Sequence, residues 1–372
     1  MRAKQRNKPD GILLGTLGAL LAVGFFVFIS AALGLLARDG QESFFSVVRS
    51  QAIGLVAGLI AGYIAYTVPL EKWRRLSPII YGLGLFALIL VLIPGIGLSF
   101  NGARRWLSLG PITVQPVEFM KVGYMLLLGS WLMVRRKGGE TLLQDMGPYI
   151  VITALPAFLL FKQPDNDSIL IMGATGLAMA FVMGARLKHV GMMMGAGAAV
   201  LLCAYLTFPY VQDRIHTFLA PAEDSLGTGY QVQQSLIAIG SGEFWGRGFG
   251  QSAQKFHHLP EPINDSIFAV AGEEFGFAGA AVLISLLAVL GLRGFTIAAR
   301  AATPYGSALA VGISTYLTLQ AFMNIASMLG IVPLSGLPLP FVSHGGSALL
   351  SSLFLMGILL SISTGRSKDS MV

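Results

Sequence analysis

Long apolar runs, each about the length of a bilayer-crossing helix, alternate along this chain with short polar breaks that carry Lys and Arg. A spanning helix needs about 20 apolar residues, because the bilayer core offers no water to backbone polar groups. The pattern predicts ten such helices, at about 12–37, 50–68, 77–94, 117–134, 147–161, 167–184, 190–208, 267–291, 305–330 and 344–363. The fifth is short and ends at Lys162-Gln163-Pro164-Asp165, where Pro164 breaks the helix. Between the seventh and eighth runs, residues 209–266 form a long, more polar stretch. Its apolar patches at Leu236–Ile239 and Phe244–Trp245 predict short amphipathic pieces lying partly on the membrane surface. The expected fold is an all-α polytopic membrane protein with about ten transmembrane helices and one long extracytoplasmic loop after the seventh. Residues 1–372 form a single membrane domain in this reading, with 1–11 as a cytoplasmic tail.

Composition supports the same class. The chain is 54% hydrophobic and 12% charged, whereas a soluble domain carries roughly 25% charged residues. Its 46 glycines suit close helix contacts in a bilayer, and Gly54, Gly58 and Gly62 recur at a spacing of four. The single cysteine, Cys203, excludes an intrachain disulfide and a cysteine-rich zinc site. A net charge of +7 could mean nucleic acid, but the basic residues cluster in short breaks between apolar runs, the signature of cytoplasmic loops. With the N-terminus inside, the inner segments hold Arg2, Lys4, Arg6 and Lys8; Lys72, Arg74 and Arg75; Arg135, Arg136 and Lys137; Arg186 and Lys188; Arg293 and Arg300; Arg366 and Lys368. The outer segments hold fewer, and three of those, Arg214, Arg247 and Lys255, lie in the long loop, where charge has less influence on topology. Both termini are thus expected inside and the 209–266 loop outside. The first apolar run is too long for a cleavable signal peptide.

Charges within or beside apolar spans are costly and are candidates for function. Glu118 and Lys121 share one face at the start of the fourth span. They are either a self-neutralising pair or the polar wall of a cavity in which Lys121 meets a phosphate. Arg104 and Arg105, beside Trp106, suit either phosphate recognition or interfacial anchoring. Arg49 either snorkels or joins the same anion site. Asp165 and Asp167 follow Pro164 and can cap the sixth helix. Asp265, at the end of Leu259-Pro-Glu-Pro-Ile-Asn-Asp265, either caps the eighth span or does chemistry on the outer side. Glu273 and Glu274 lie deeper in that span and point to a cavity or a basic partner. His257 and His258 form no recognisable metal-ligand spacing. Between Pro333 and Ser347 the prolines exclude a helix, and Ser343-His344-Gly345-Gly346-Ser347 is either a re-entrant packing device or a backbone nest for phosphate.

Taken in order, Asn101–Leu107, Gln115–Lys121, Gln163-Pro164-Asp165, Gly240-Ser-Gly242, Leu259–Glu274 and Gly336–Ser347 resemble the SEDS family, the RodA, FtsW and SpoVE type of cell-wall polymerases. The resemblance runs over nearly the whole chain, and Asn101–Leu107 is more similar to the division type, FtsW, than to the elongation type. It implies a peptidoglycan glycosyltransferase acting on the undecaprenyl-linked disaccharide lipid II and a growing glycan strand. It also implies a class B penicillin-binding protein as partner and Asp265 as the catalytic residue. The remaining substrate-side candidates are Arg49, Arg104, Arg105, Glu118, Lys121, Asp165, Glu273, Glu274, Ser343 and Ser347. A divalent cation, Mg or Mn, is a candidate cofactor, and no nucleic acid is expected. The chain departs from the family pattern at Ile263, Asn264 and Ser266 around Asp265, at Asp167-Ser168, and at His344. A flippase for the lipid-linked precursor, or a scaffold that recruits a wall synthase, are the competing readings. A transporter would often show repeat symmetry, and a scaffold would not need Asp265 together with Glu118 and Lys121.

Overall fold

The computed structural model describes residues 8–38, 40–100, 103–110, 112–134, 141–221, 223–224 and 227–365. Arg2, Lys4, Arg6, Asn101, Arg135, Arg136, Lys137, Arg366 and Lys368, used in the sequence reading, lie outside the described residues. The first three helices are α1 (Gly11–Arg38), α2 (Gly40–Thr67) and α3 (Leu70–Leu92). Three short strands follow, β1 (Gly97–Phe100), β2 (Ala103–Leu109) and β3 (Ile112–Val114). The bundle continues with α4 (Pro116–Val134), α5 (Leu142–Lys162), α6 (Asn166–Val182) and α7 (Leu187–Thr207). The long loop contributes α8 (Pro209–Leu219), α9 (Thr228–Ser241) and α10 (Gln254–His257), before α11 (Ile267–Ala299), α12 (Pro304–Met328) and α13 (Gly346–Ser363).

Among the described residues, nine helices are long and apolar enough to cross a membrane. The remaining expected span, the sixth, is α6, apolar but only 17 residues long. The chain is therefore a multi-pass, largely helical membrane protein. Local signals set several boundaries. A capping box, Thr141 with Gln144, starts α5, and Thr303 caps α12 with Pro304 in its first turn. The second helix starts at Gly40, ten residues before the hydropathy pattern placed it. Its first turns hold Gln41, Glu42 and Arg49, which depress local hydropathy while remaining good helix formers.

α4, α12 and α13 form the enclosed centre of the bundle, whereas α7 buries only His189 along its whole length. The Gly54, Gly58 and Gly62 stripe packs α2 onto α13. A side chain at Gly62 would meet the carbonyl of Leu353 at 2.8 Å, and one at Gly54 would meet the Cα of Gly346 at 2.7 Å. Small residues let helix backbones approach closely where lipid supplies no hydrophobic drive to association.

Two features differ from the expected pattern. The fold is not wholly α: before α4, β1, β2 and β3 form an antiparallel sheet in that order, with Leu107 opposite Gly97 on one side and Val114 on the other. The aromatic and β-branched residues Trp106, Ile112, Thr113 and Val114 carry that strand signal. The 209–266 loop also does more than rest on a surface. α8 buries no residue, as expected of an interfacial piece, but α9 buries Gly229, Gln231, Ser235 and Ala238 against the bundle.

The following segment is threaded into a break in α11. Gly276 has φ 66° and interrupts the helix. The carbonyls freed at Glu273 and Glu274 accept from the amides of Arg247 (3.0 Å) and Gly248 (2.9 Å). The amides of Phe277 and Ala278 donate to the carbonyls of Glu243 (2.9 Å) and Phe244 (3.0 Å). Two carbonyls before the break and two amides after it are thus paired with the loop, the kind of compensation a non-helical segment within a spanning helix requires.

Candidate active site around Asp265

Asp265 lies in the turn just before α11, and the N-cap position of that helix falls to Ser266, which makes no side-chain capping bond. Capping therefore does not explain the aspartate. The turn is held from three directions. The hydroxyl of Ser343 donates to the carbonyl of Asn264 at 2.5 Å, and the amide of His344 donates to the carbonyl of Ile263 at 2.8 Å. From α12, the Asn324 side chain donates to the carbonyl of Asp265 at 2.8 Å. From α9, Gln231 donates to the hydroxyl of Ser266 at 2.9 Å. The proline-rich segment that ends in Ser343 is itself fixed, since Ser343 Oγ accepts from the amide of Leu339 at 2.8 Å. Gln51 joins it from α2, with Nε2 donating to the carbonyl of Ser343 at 3.3 Å and Oε1 accepting from the amide of Gly345 at 3.2 Å. Ser343 and the Gly345-Gly346 turn thus act as a re-entrant packing device against the Asp265 turn.

The carboxylate of Asp265 is left largely uncommitted. Its Oδ1 is buried and meets no donor among the described residues. Burial pushes its pKa up to about 6, and the nearby negative charge of Glu261 adds to the rise. Gln231 and the amides of Asp265 and Ser266 act the other way. A carboxyl group so tuned is mostly ionised near neutral pH, yet basic enough to take a proton.

The other candidates fall into distinct places. Glu118 and Lys121 form a closed, fully buried network. Lys121 Nζ bonds Glu118 Oε1 at 2.7 Å and the hydroxyl of Tyr316 at 3.3 Å. The second oxygen of Glu118 accepts from Tyr316 (3.2 Å) and Ser351 (3.1 Å). Each member is satisfied by α4, α12 and α13, an arrangement that favours the self-neutralising alternative. Ser347 accepts from the amide of Gln115 at 3.1 Å, tying the start of α13 to the start of α4. Asp165 caps α6 through the amide of Ser168 at 3.3 Å, and Asp167 pairs with Arg214 of α8 at 3.1 Å.

Arg105 donates through Nε to the carbonyl of Gln163 at 3.2 Å and through Nη2 to that of Pro164, so it satisfies the helix break rather than projecting freely. Arg104 and Arg49 are exposed, and neither is brought to Asp265 by a described contact. Glu273 and Glu274 meet their basic partner inside the chain. Glu274 binds the fully buried Lys255 at 2.5 Å, with Ser30 of α1 completing the cluster at 2.6 Å from the same oxygen. Glu273 accepts from Ser252 Oγ (2.6 Å), the amides of Ala253 (3.0 Å) and Gln254 (3.3 Å), and lies 3.7 Å from Arg247. The two glutamates brace the segment that leads into Leu259–Asp265, and their described bonds are all to this chain.

Gln51, Gln231, Lys255 and Asn324 are absent from the sequence-derived set although they hold the site. The available signal was polarity inside apolar helices: Gln320 and Asn324 interrupt α12 at a spacing of four, and uncharged amides in a span carry information as charges do. Among the described residues no three His, Cys, Asp or Glu side chains come together as a metal cluster.

Residues 12–368 match the family model for FtsW, RodA and SpoVE, described as cell cycle proteins. Stage V sporulation protein E of Bacillus subtilis is 37% identical over 96% of this chain and 98% of its own length. A probable peptidoglycan glycosyltransferase FtsW of Thioalkalivibrio sulfidiphilus is 38% identical over 95% of this chain and 88% of its own. Among solved structures, a chain of a peptidoglycan synthase complex that coordinates polymerization and crosslinking superposes with a TM-score of 0.80. That chain is 28% identical, with 97% and 99% of the two chains covered. The rod shape determining protein RodA of Thermus thermophilus superposes with a TM-score of 0.71 at 26% identity, covering 97% of this chain and 98% of that one. With the match spanning every helix and the Asp265 turn, this chain belongs to the FtsW, RodA and SpoVE family.

Proposed function

We propose that this protein is a peptidoglycan glycosyltransferase that polymerises lipid II into glycan strands at the outer face of the bacterial cytoplasmic membrane, with both termini on the cytoplasmic side. The observation that carries the reading is the Asp265 carboxylate, held by a braced turn with Oδ1 meeting no donor among the described residues. A sugar 4-hydroxyl is a weak nucleophile. As its oxygen attacks the anomeric carbon, Asp265 takes the hydroxyl proton, the new C–O bond forms, and the lipid pyrophosphate leaves with the electron pair of the broken bond. Pyrophosphate is already a good leaving group, so one base suffices and no paired carboxylate is needed. The paired arrangement belongs to glycoside hydrolysis.

Arg49 and Arg104, exposed and without described partners, are the cations best suited to the pyrophosphate charge. Arg105 and Lys121 are engaged elsewhere. A divalent cation, Mg or Mn, would be brought by pyrophosphate oxygens rather than held by a protein cluster. A class B penicillin-binding protein is the proposed partner, because a polymerised strand must be crosslinked where it emerges.

Purified protein, alone and with its partner, is to be given lipid II and the products sized. Wild type should build strands. Asp265→Asn should lose on the order of a hundredfold or more in rate. Near-normal polymer from well-folded Asp265→Asn sinks the catalytic role. Translocation of lipid II across vesicles without polymer formation would transfer the case to a flippase.

A further inference from the structure

We propose that Asn324 is the positioning residue for Asp265, acting through the backbone rather than through the carboxylate. This rests on the reading of Asp265 as the base. Asn324 is fully buried in α12. Its Nδ2 donates to the carbonyl of Asp265 at 2.8 Å and to that of Leu337 at 2.7 Å. An amide nitrogen carries two hydrogens, so both bonds form together. The two carbonyls belong to two irregular segments that have no ladder of their own to fix them. One side chain therefore joins the turn carrying Asp265 to the re-entrant segment facing it.

One helical turn away on the same face of α12, Gln320 donates to the carbonyl of Pro338 at 2.8 Å. Gln320 grips only the re-entrant segment, whereas Asn324 grips both. The consequence falls on the carboxylate. Its Oδ2 lies 3.9 Å from where a side chain at Gly336 would begin, and Gly336 is exposed with φ 58°. The Asn324 bridge thus sets how far the carboxylate stands from this open glycine surface. A displacement of about 1 Å at a reacting group costs on the order of a hundredfold in rate. Oδ1 of Asn324, like Oδ1 of Asp265, meets no donor among the described residues. Only the donor half of the amide is therefore committed to holding the turn.

The test is steady-state polymerisation of lipid II by the full-length protein with Asn324→Ala, Gln320→Ala, Asp265→Asn and the double variant Asn324→Ala with Asp265→Asn. Asn324→Ala is expected to lower kcat on the order of tenfold to a hundredfold, with KM for lipid II unchanged within about twofold, while Gln320→Ala stays near wild type. Adding Asn324→Ala to Asp265→Asn is expected to cost nothing further, since there is no base left to position. A purely structural amide gives the opposite results: equal losses in Asn324→Ala and Gln320→Ala, or losses that multiply in the double variant. Either overturns the proposal. If Asn324→Ala does not give a monodisperse protein, Asn324→Leu, which keeps the volume and removes the donor, replaces it under the same criteria. Failure of the base reading is separately visible, as retained turnover by Asp265→Asn alone.

Discussion

At the scale of single residues, burial decides what each charge can do. Asp265 is a carboxylate outside the spans whose pKa is raised while one oxygen meets no donor among the described residues. Its folded pKa of about 6 lies above its ordinary 3.8, so the ionised form is the one the fold disfavours. Turnover should fall as pH drops through about 6 and the base becomes protonated, which a pH–rate profile of lipid II polymerisation measures. The same sign means that ionising Asp265 costs stability as pH rises from its unfolded to its folded pKa. Asp265→Asn should accordingly melt no lower than wild type above pH 6 while losing activity.

Glu118 and Lys121 show the contrary case, a buried pair that consumes its own charge. Breaking it by Lys121→Met should destabilise the protein by about 3–5 kcal/mol, because a carboxylate is left unpaired in a dry bundle. Exchanging the two, Glu118→Lys with Lys121→Glu, is expected to recover both thermal stability in detergent and activity. Recovery of the fold alone would return Lys121 to the substrate.

At the scale of elements, the decisive event is the break in α11. Gly276 has φ 66°, and a side chain there would fall 2.3 Å from the amide nitrogen of Gly246. Gly276→Ala should therefore expel the 243–248 segment and cost about 1–3 kcal/mol of backbone strain alone. That segment is tied to Glu273 and Glu274, which brace the approach to Asp265, so activity should fall with stability. Gly82→Ala on α3, where a methyl meets nothing within 4 Å, is the control and should be neutral or slightly stabilising. A melting series with parallel polymerisation assays separates the two. The β1–β3 sheet is a quieter example: it places Arg105 where it can satisfy the carbonyls at the Gln163-Pro164 break.

At the scale of the whole molecule, one end of the bundle is latched by Asp10. Its carboxylate bonds Arg293 of α11 at 2.7 Å, and its amide donates to Ser363 of α13 at 3.1 Å. At the other end, the inserted loop presents Phe244 and Trp245, 53% and 78% exposed, directly beside the α11 break. Contacts made there reach the Asp265 approach through the backbone pairs with residues 273–278. A class B penicillin-binding protein that favours one arrangement of this loop would raise activity by that differential contact. Trp245→Ala is expected to lose the partner's stimulation while keeping basal polymerisation, measured with and without the partner. Equal loss of both, or of neither, leaves the aromatics as lipid anchors.

The sequence by itself determined the class, the position of nearly every membrane-crossing element and the residue on which the chemistry is proposed to turn. Apolar runs of bilayer length can satisfy their backbone in few ways, and an acidic turn leading into a span is visible in one dimension. The β1–β3 strands also had their signal, but seven or fewer residues each cannot compete with the helical runs on either side. What only the tertiary structure decided is which charges remain available. Glu273 and Glu274 read identically to a cavity wall until Lys255 and Ser252, some twenty residues earlier in the chain, fold back onto them. Arg105, Ser343 and Ser347 likewise keep the chemistry of ligand-binding groups in the sequence and lose it to partners distant in the chain. Asn324 goes the other way, an unremarked amide in an apolar helix until it meets the carbonyl of Asp265. Hydropathy is a property of neighbours along the chain, so it can be read from one sequence. Whether a polar group is satisfied depends on neighbours in space, and only packing brings those together.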